Sequence, residues 1–478
     1  MTEKPTQIKF GTDGWRAIIA DAFTFHNLER VAQAYSDYLL SQPEGEKDAT
    51  AALVVLGYDH RFLSEKFAER SAQVISGNGL SVALFEKPVP TPLVSWAVRD
   101  NEAVGGVVIT ASHNPADFNG FKIKAPWGGS ASPEITAAVE NLVDASSVKK
   151  IETPIAVGGQ LLEQSTETYR RQILGYVDVD RLTAKNAAVV VDSMHGSGGC
   201  WVESFLSGGA LNTETIRGER DPLFGGVSPE PIDRNLGALK TRVKEVGALV
   251  GLATDGDADR LGAVNELGAT MTMHEVVPLL LLHLARVRGM SGGVVRTFSQ
   301  SVLTKRIAAA HNLPLYDTPI GFKYIADLML TTDILIGAEE SGGIGVKGHI
   351  PERDGILNCL LLLEAVVASG RTPSEMVREM HREFGEFYFD RRDVRCEVAR
   401  GIELVKSIGE APPTQVADFE VTSVETLDGT KVIFQDESWL LLRQSGTEPV
   451  LRIYSEATSL EKVRMLLDAG TLLASNAA

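Results

Sequence analysis

The sequence predicts a multidomain α/β protein that closes on a smaller α+β domain, and three observations carry that reading. The chain has 478 residues, too many for one core when domains run to roughly 100–200 residues each, so three or four are expected. Over the first three-quarters, short apolar runs alternate with helical patterns, and the runs open into polar loops, as in folds whose ligand loops follow strand carboxyl ends. From residue 384 onward, strand-like segments follow one another closely instead.

Ala52 to Leu56 reads as a strand entering the loop Gly57-Tyr58-Asp59-His60-Arg61, with a helical pattern from Ser64 to Ile75. Val107-Val108-Ile109 leads into the turn Ser112-His113-Asn114-Pro115. Ala187 to Val191, Ala248 to Leu252, Val294 to Arg296 and Ile334 to Ile336 are further apolar strands that end in polar loops. Pairwise similarity between these recurrences is weak, so the pattern alone does not make them copies of one topology. In the last part, Phe387 to Phe389, Val394 to Val398, Lys431 to Gln435, Trp439 to Arg443 and Val450 to Tyr454 suggest antiparallel strands. Helical patterns fall at Ala399 to Ser407 and Leu460 to Leu473. Boundaries are expected near Val157, Gly268 and Glu383.

Hydrophobic residues make up 44% of the chain, as in ordinary globular proteins. The longest apolar run, Val276 to Leu284, is far short of the roughly 20 residues that span a bilayer. Met1 to Gln7 holds no apolar stretch that could serve as a secretory signal, so a cytoplasmic location is the expectation. Cys200, Cys359 and Cys396 show no CxxC spacing, which argues against a disulfide framework or zinc site. A formal charge of −17 disfavours nucleic acid and acidic membrane surfaces as partners.

Two segments carry chemistry by residue type. Ser112, at the end of an apolar strand, is a candidate covalent nucleophile; its bland reading is a hydroxyl that hydrogen-bonds a turn. Asp255, Asp257 and Asp259 alternate after a strand and can converge oxygen ligands on a hard cation such as Mg²⁺, with Arg260 beside them to meet an anion. Glu266 stands twelfth from Asp255, as in a calcium loop. Arg260 occupies the sixth position, however, where that loop needs glycine. Serine, metal and arginine together suggest phosphoryl transfer.

Thr110 to Pro115 (TASHNP), Asp255 to Arg260 (DGDADR), Glu339 to Gly342 (EESG) and Arg443 to Pro449 (RQSGTEP) match, in this order, the four active-site loops of one family. Phe10 to Arg16 (FGTDGWR) resembles its amino-terminal signature. The chain thereby resembles the α-D-phosphohexomutases, the phosphoglucomutase/phosphomannomutase family. The resemblance implies three similar mixed α/β domains and a smaller α+β domain around a central cleft. Residues 1–157 would carry the phosphoserine loop, 158–268 the metal loop, 269–383 the sugar loop and 384–478 the phosphate loop.

By resemblance, Ser112 carries the phosphoryl group, and Asp255, Asp257, Asp259 and a phosphate oxygen on Ser112 surround Mg²⁺. Lys122 is the candidate proton shuttle, its pKa lowered by Arg16 or Arg260; alternatively Lys122 clamps phosphate and His113 moves the proton. Glu339 and Ser341 would grip sugar hydroxyls. Arg443, Ser445, Gly446 and Thr447 would bind the phosphate that does not react, with Lys323 and Arg16 adding charge. Gly343 stands where many relatives have histidine, and His349 is a doubtful substitute. Clustering of Arg16, Lys122, Arg260, Lys323, Arg443 and Arg452 would draw an anionic substrate to an acidic protein.

The expected activity is phosphoglucomutase: glucose 1-phosphate and glucose 6-phosphate interconvert through a glucose 1,6-bisphosphate that also primes the enzyme. Phosphomannomutase or dual specificity is the nearest alternative. Phosphoglucosamine mutase fits less well, because Trp15-Arg16-Ala17 departs from the Ile-Arg-Gly usual in those enzymes. A phosphoserine hydrolase would use the same serine and metal but release phosphate, and a noncatalytic sugar-phosphate binder would require a broken motif. A hexose phosphate is the expected partner, and the chain is expected to be a monomer or homodimer.

Overall fold

Strands β1 (Gly14–Ile18), β2 (Leu53–Tyr58), β3 (Ser81–Leu84), β4 (Gly105–Ile109) and β5 (Phe118–Lys124) form one sheet in the order β1-β5-β4-β2-β3. The protein is described by a computed structural model covering residues 7–11, 13–42, 52–157, 159–445 and 449–476. The chain folds as two compact units. The first comprises Met1–Met271, Ile325–Thr331 and Ser341–Pro373; the second comprises Thr272–Tyr324, Thr332–Glu340 and Ser374–Ala478.

In the first unit, β2 runs parallel to β3 and β4, while β5 returns antiparallel between β4 and β1. Helices cover both faces, so its central strands are apolar throughout rather than alternating. Val54, Leu56, Val107, Ile109 and Phe121 share a core with Leu28, Val31 and Tyr35 of helix Phe25–Leu40 and with Phe67 and Val74 of helix Ser64–Gly77. Helix Thr91–Asp100 packs close on the other face: a methyl group on Gly57 or Gly106 would strike Val94 or Val98. Each fully buried Val or Leu contributes about 1.5–3 kcal/mol.

The second sheet of this unit contains β6 (Ala188–Asp192), β7 (Asn212–Ile216), β8 (Val250–Thr254), β9 (Leu261–Asn265) and β10 (Thr270–Met271). Its order is β10-β9-β8-β6-β7, with β6 parallel to β7 and β8, and β8 antiparallel to β9. β9-β8-β6-β7 thus repeats the arrangement of β5-β4-β2-β3. The almost wholly buried helix Gly355–Ser369 packs on β8 and β9.

In the second unit, β11 (Gly293–Thr297) runs parallel to both β12 (Leu315–Thr318) and β13 (Ile334–Ala338), the same core motif a third time. The other sheet there has the order β15-β20-β19-β18-β17-β16 and is antiparallel throughout. Its strands are β15 (Tyr388–Arg395), β16 (Gln415–Val416), β17 (Phe419–Glu425), β18 (Thr430–Phe434), β19 (Trp439–Gln444) and β20 (Val450–Ala457), while β14 is Ile344–Val346 in the first unit. Helices Val398–Glu410 and Leu460–Asn476 pack on this sheet. The expected strand at Val394 to Val398 is corrected: the segment Tyr388 to Arg395 pairs as one strand along β20, and Val398 opens a helix.

Among the described residues, no single helix is long and apolar enough to cross a membrane; the bent pair Gly355–Ser369 and Pro373–Phe384 passes on length and composition only.

Candidate active site

The β4–β5 loop of the first unit presents Ser112 with a left-handed backbone, φ 50°, a conformation that costs a residue with a side chain of order 1–3 kcal/mol. Ser112 is buried, its N–H donates to Thr110 Oγ1 (2.8 Å), and its Oγ donates to Asp255 Oδ2 (2.8 Å). His113 Nδ1 lies 3.4 Å from the same Oγ. Burial, then Arg260 and Arg16, hold the His113 pKa well below its usual range, so the ring is neutral.

The β8–β9 loop brings the three aspartates together, all wholly buried and with one carboxylate oxygen of each within 4.8 Å of the others. Flanking strands rather than helices exclude the calcium-loop reading. Gly256 makes the approach possible, since a Cβ there would lie 2.5 Å from the Ser112 carbonyl. Asp255 Oδ1 accepts the N–H groups of Asp259 (3.0 Å) and Arg260 (3.1 Å), which fixes the loop on itself. Asp257 Oδ1 and Asp259 Oδ1, although buried, accept no hydrogen bond. Orphaned carboxylate oxygens beside a third carboxylate are a donor set for a hard cation, so the residues fit a divalent metal.

Lys122, on β5, is buried against these carboxylates. Its Nζ lies 2.6 Å from Asp259 Oδ2, 3.1 Å from Asp257 Oδ2 and 3.5 Å from Asp13 Oδ2. The expectation that neighbouring arginines lower its pKa is corrected. Burial does act in that direction, but Asp257, Asp259 and Asp13 outweigh it and hold the lysine protonated; the opposing like charge is Arg353. Burial and its two aspartate neighbours raise Asp255 well above the usual carboxylate range, whereas in Asp257 the charge of Lys122 and the bonds from Thr91 and Lys122 overcome burial and lower it. Arg16 donates to Asn114 Oδ1 (2.9 Å) and pairs with Asp13 (3.3 Å), at the edge of the serine loop. Arg260, on the metal loop, lies 4.0 Å from Asp259 Oδ1. A buried serine, a carboxylate triad that fits a cation and three cationic side chains therefore converge in the first unit.

Comparison with known proteins agrees with this chemistry. Models of the phosphoglucomutase/phosphomannomutase alpha/beta/alpha domains I, II and III match residues 7–150, 167–268 and 273–384, and the C-terminal domain model matches residues 394–469. The chain belongs to the phosphoglucomutase/phosphomannomutase family. It is 31% identical to the phosphoglucomutase/phosphomannomutase of Thermococcus kodakarensis over 97% of this chain and 98% of that one. The phosphoglucosamine mutase of Erythrobacter litoralis is 29% identical over 96% and 95%. A solved structure of a candidate phosphomannomutase from Thermus thermophilus superimposes with a TM-score of 0.86 and 36% identity, over 99% of this chain and all of that one. As a member of this phosphohexomutase family the chain is an isomerase that works by intramolecular phosphoryl transfer, built as three α/β/α domains and a C-terminal domain.

The remaining motif residues of this phosphohexomutase fall in different places. Ser341 is half-buried in the first unit. In the second unit Glu339 is buried, and Glu340 accepts from Ser299 Oγ (2.8 Å). There, too, Lys323 Nζ sits 5.0 Å from the Tyr324 ring centroid. Arg443 Nε donates to Asp428 Oδ1 (2.9 Å), Arg452 faces Arg443 across the β19–β20 ladder, and Ser445 is buried. Gly446 and Thr447 lie outside the described residues. His349 is committed elsewhere: its Nε2 meets Asp354 Oδ2 (2.9 Å) and its ring stacks on Trp96.

Sequence reasoning missed a second ring of buried groups. Thr91 Oγ1 donates to Asp257 Oδ2 (2.7 Å). Arg353 Nη2 pairs with Asp259 Oδ2 (3.0 Å) and Asp13 Oδ2 (3.4 Å), while Glu352 accepts from Lys124 Nζ and Ser130 Oγ, both at 2.6 Å. Asp59 and Arg61, recognised only as loop residues, are wholly buried beneath the serine loop. Their one sequence signal is a charged pair in a loop directly after an apolar strand.

Proposed function

We propose that the protein is a phosphoglucomutase, interconverting glucose 1-phosphate and glucose 6-phosphate through a phosphorylated Ser112 and a glucose 1,6-bisphosphate that also primes it. The observation that carries this is Ser112 Oγ at 2.8 Å from Asp255 Oδ2, beside two buried aspartate oxygens with no hydrogen-bond donor. Asp255, Asp257 and Asp259 would hold Mg²⁺, which draws charge from a phosphoryl group as it passes between oxygens.

In the half-reaction that reloads the enzyme, Ser112 Oγ attacks phosphorus, the bond from phosphorus to the sugar oxygen breaks, and the serine proton passes to the neutral His113 ring, whose Nδ1 lies 3.4 Å from Oγ. Protonated Lys122 gives its proton to the departing sugar oxygen and takes it back in the reverse transfer. In-line transfer puts attacking and leaving oxygens on opposite sides of phosphorus, so His113, 3.4 Å from Oγ, belongs to the serine side and leaves the sugar side to Lys122. Arg16 and Arg260 meet the reacting phosphate. Glu339 and Ser341 bind sugar hydroxyls, and Arg443, Ser445, Gly446, Thr447 and Lys323 bind the distal phosphate. The domains divide near Val157, Gly268 and Glu383.

A phosphomannomutase or dual-specificity enzyme is the second reading, favoured by the description of the Thermus thermophilus relative. Assaying glucose 1-phosphate, mannose 1-phosphate and glucosamine 1-phosphate side by side with Mg²⁺ and glucose 1,6-bisphosphate tests both. The first reading expects the highest kcat/KM with glucose 1-phosphate; a clear preference for either other sugar overturns it.

A further inference from the structure

Arg61 uses all five of its N–H groups on acceptors beneath the serine loop. Nε donates to Asp59 Oδ2 (3.1 Å). Nη1 donates to the carbonyls of Pro115 (2.7 Å) and Phe118 (3.0 Å), and Nη2 to those of Ser112 and Asn114, both at 2.6 Å. Four carbonyls in and just after one loop are thereby tied together by one rigid fork. Asp59 completes the frame: it accepts from Thr110 Oγ1 (2.6 Å) and Ser64 Oγ (2.9 Å), and Thr110 Oγ1 in turn accepts the Ser112 N–H. The carboxylate thus ties the loop before the serine, and the guanidinium ties it at the serine and after. Between them Ser112 is held in its left-handed backbone conformation. Such a conformation persists only where surrounding structure over-determines it.

We propose that the Asp59–Arg61 pair is the positioning device of the phosphoryl carrier. Arg61 touches no reacting atom; it fixes the direction in which Ser112 Oγ points toward Asp255. This rests on the reading of Ser112 as the carrier. Lysine cannot replace it, because three donors at one point cannot span four carbonyls and a carboxylate.

The experiment compares Arg61→Lys, Arg61→Ala and Thr110→Val, the last cutting only the tie ahead of the serine. Turnover of glucose 1-phosphate is measured with Mg²⁺ and bisphosphate, alongside thermal melting, phosphate occupancy of Ser112 by intact mass, and Arg61→Ala with added guanidinium below denaturing concentrations. Misplacing a reacting atom by about 1 Å costs on the order of 100-fold, so Arg61→Lys should lose about that much kcat with KM little changed. Guanidinium should restore part of the activity of Arg61→Ala without changing its melting temperature. Folded Arg61→Lys and Thr110→Val with near wild-type kcat overturn the proposal, as does a loss in Arg61→Ala that guanidinium leaves untouched. If the arginine variants do not fold, kcat and KM of Thr110→Val decide alone. Normal turnover by Ser112→Ala would overturn the carrier reading itself, a result separate from any of these.

Discussion

Ser112 Oγ donates a 2.8 Å hydrogen bond to Asp255 Oδ2, joining residues 143 positions apart. The serine sits on the β4–β5 loop and the aspartate on the β8–β9 loop, equivalent places in two copies of one strand motif. Their contact sets the proposed phosphoryl carrier directly against one of the three carboxylates that fit a cation.

Asp255→Asn keeps an oxygen that can accept from the serine but removes one negative charge from the proposed Mg²⁺ site. We expect the Mg²⁺ needed for half-maximal single-turnover transfer from glucose 1,6-bisphosphate to Ser112 to rise by at least about 10–100-fold, the range for loss of even a ligand's supporting contact. An unchanged Mg²⁺ requirement would remove Asp255 from the metal site.

EDTA should abolish turnover and Mg²⁺ restore it, with Asp257→Asn raising the Mg²⁺ needed. Thr91→Val, which removes only the 2.7 Å bond to Asp257 Oδ2, should weaken Mg²⁺ binding by about 10–100-fold, as loss of a ligand's supporting contact does. Titrating Mg²⁺ into each chelated variant checks both. Full activity after rigorous chelation would contradict the metal assignment.

Glu352 makes an acid-stability prediction. Burial raises its pKa, but Lys124, Arg353 and Lys122 outweigh that and bring it from 4.5 down to about 2. A pKa depressed by folding contributes stability that is fully present above the unfolded value of 4.5 and is lost as pH falls toward 2. At about 1.4 kcal/mol per pH unit, roughly 3 kcal/mol is at stake. Denaturant melts of the wild type and Glu352→Gln should therefore differ most above pH 4.5 and converge below it. A gap independent of pH would show that the carboxylate's charge does not matter.

On the proposed role of Arg443 in holding the distal phosphate, Arg443→Ala should cost about 2 kcal/mol of transition-state stabilisation from either substrate. Glu339→Gln should change the ratio of glucose to mannose turnover instead. Kinetics in both directions separate these roles: one-directional loss in the first variant, or an unmoved sugar ratio in the second, would reassign them.

Much of this was legible in the chain. The apolar runs at Leu53, Val107, Ala188, Val250 and Ile334 became strands because strands covered on both faces must be apolar throughout, and the loops after those at Val107, Val250 and Ile334 carry recognisable motifs. β17 was not foreseen; its alternating Phe419–Glu425 is a half-exposed strand with no strong apolar run. Nor could Lys122 be read correctly, because its protonation depends on Asp257 and Asp259, 135 and 137 positions away. Arg61 and Arg353 were invisible for the same reason. A buried cation is defined by partners that only the fold assembles, and a charged residue in a sequence looks like a solvated one.

The central claim is that Ser112 carries the phosphoryl group. Incubating the protein with Mg²⁺ and glucose 1,6-bisphosphate labelled in its phosphates, then mapping the peptide spanning Ile109 to Lys124, tests it most directly. The account predicts label on Ser112 that chases into hexose bisphosphate when glucose 1-phosphate is added. Continued turnover with Ser112 unlabelled, or with label fixed on another residue, would contradict it.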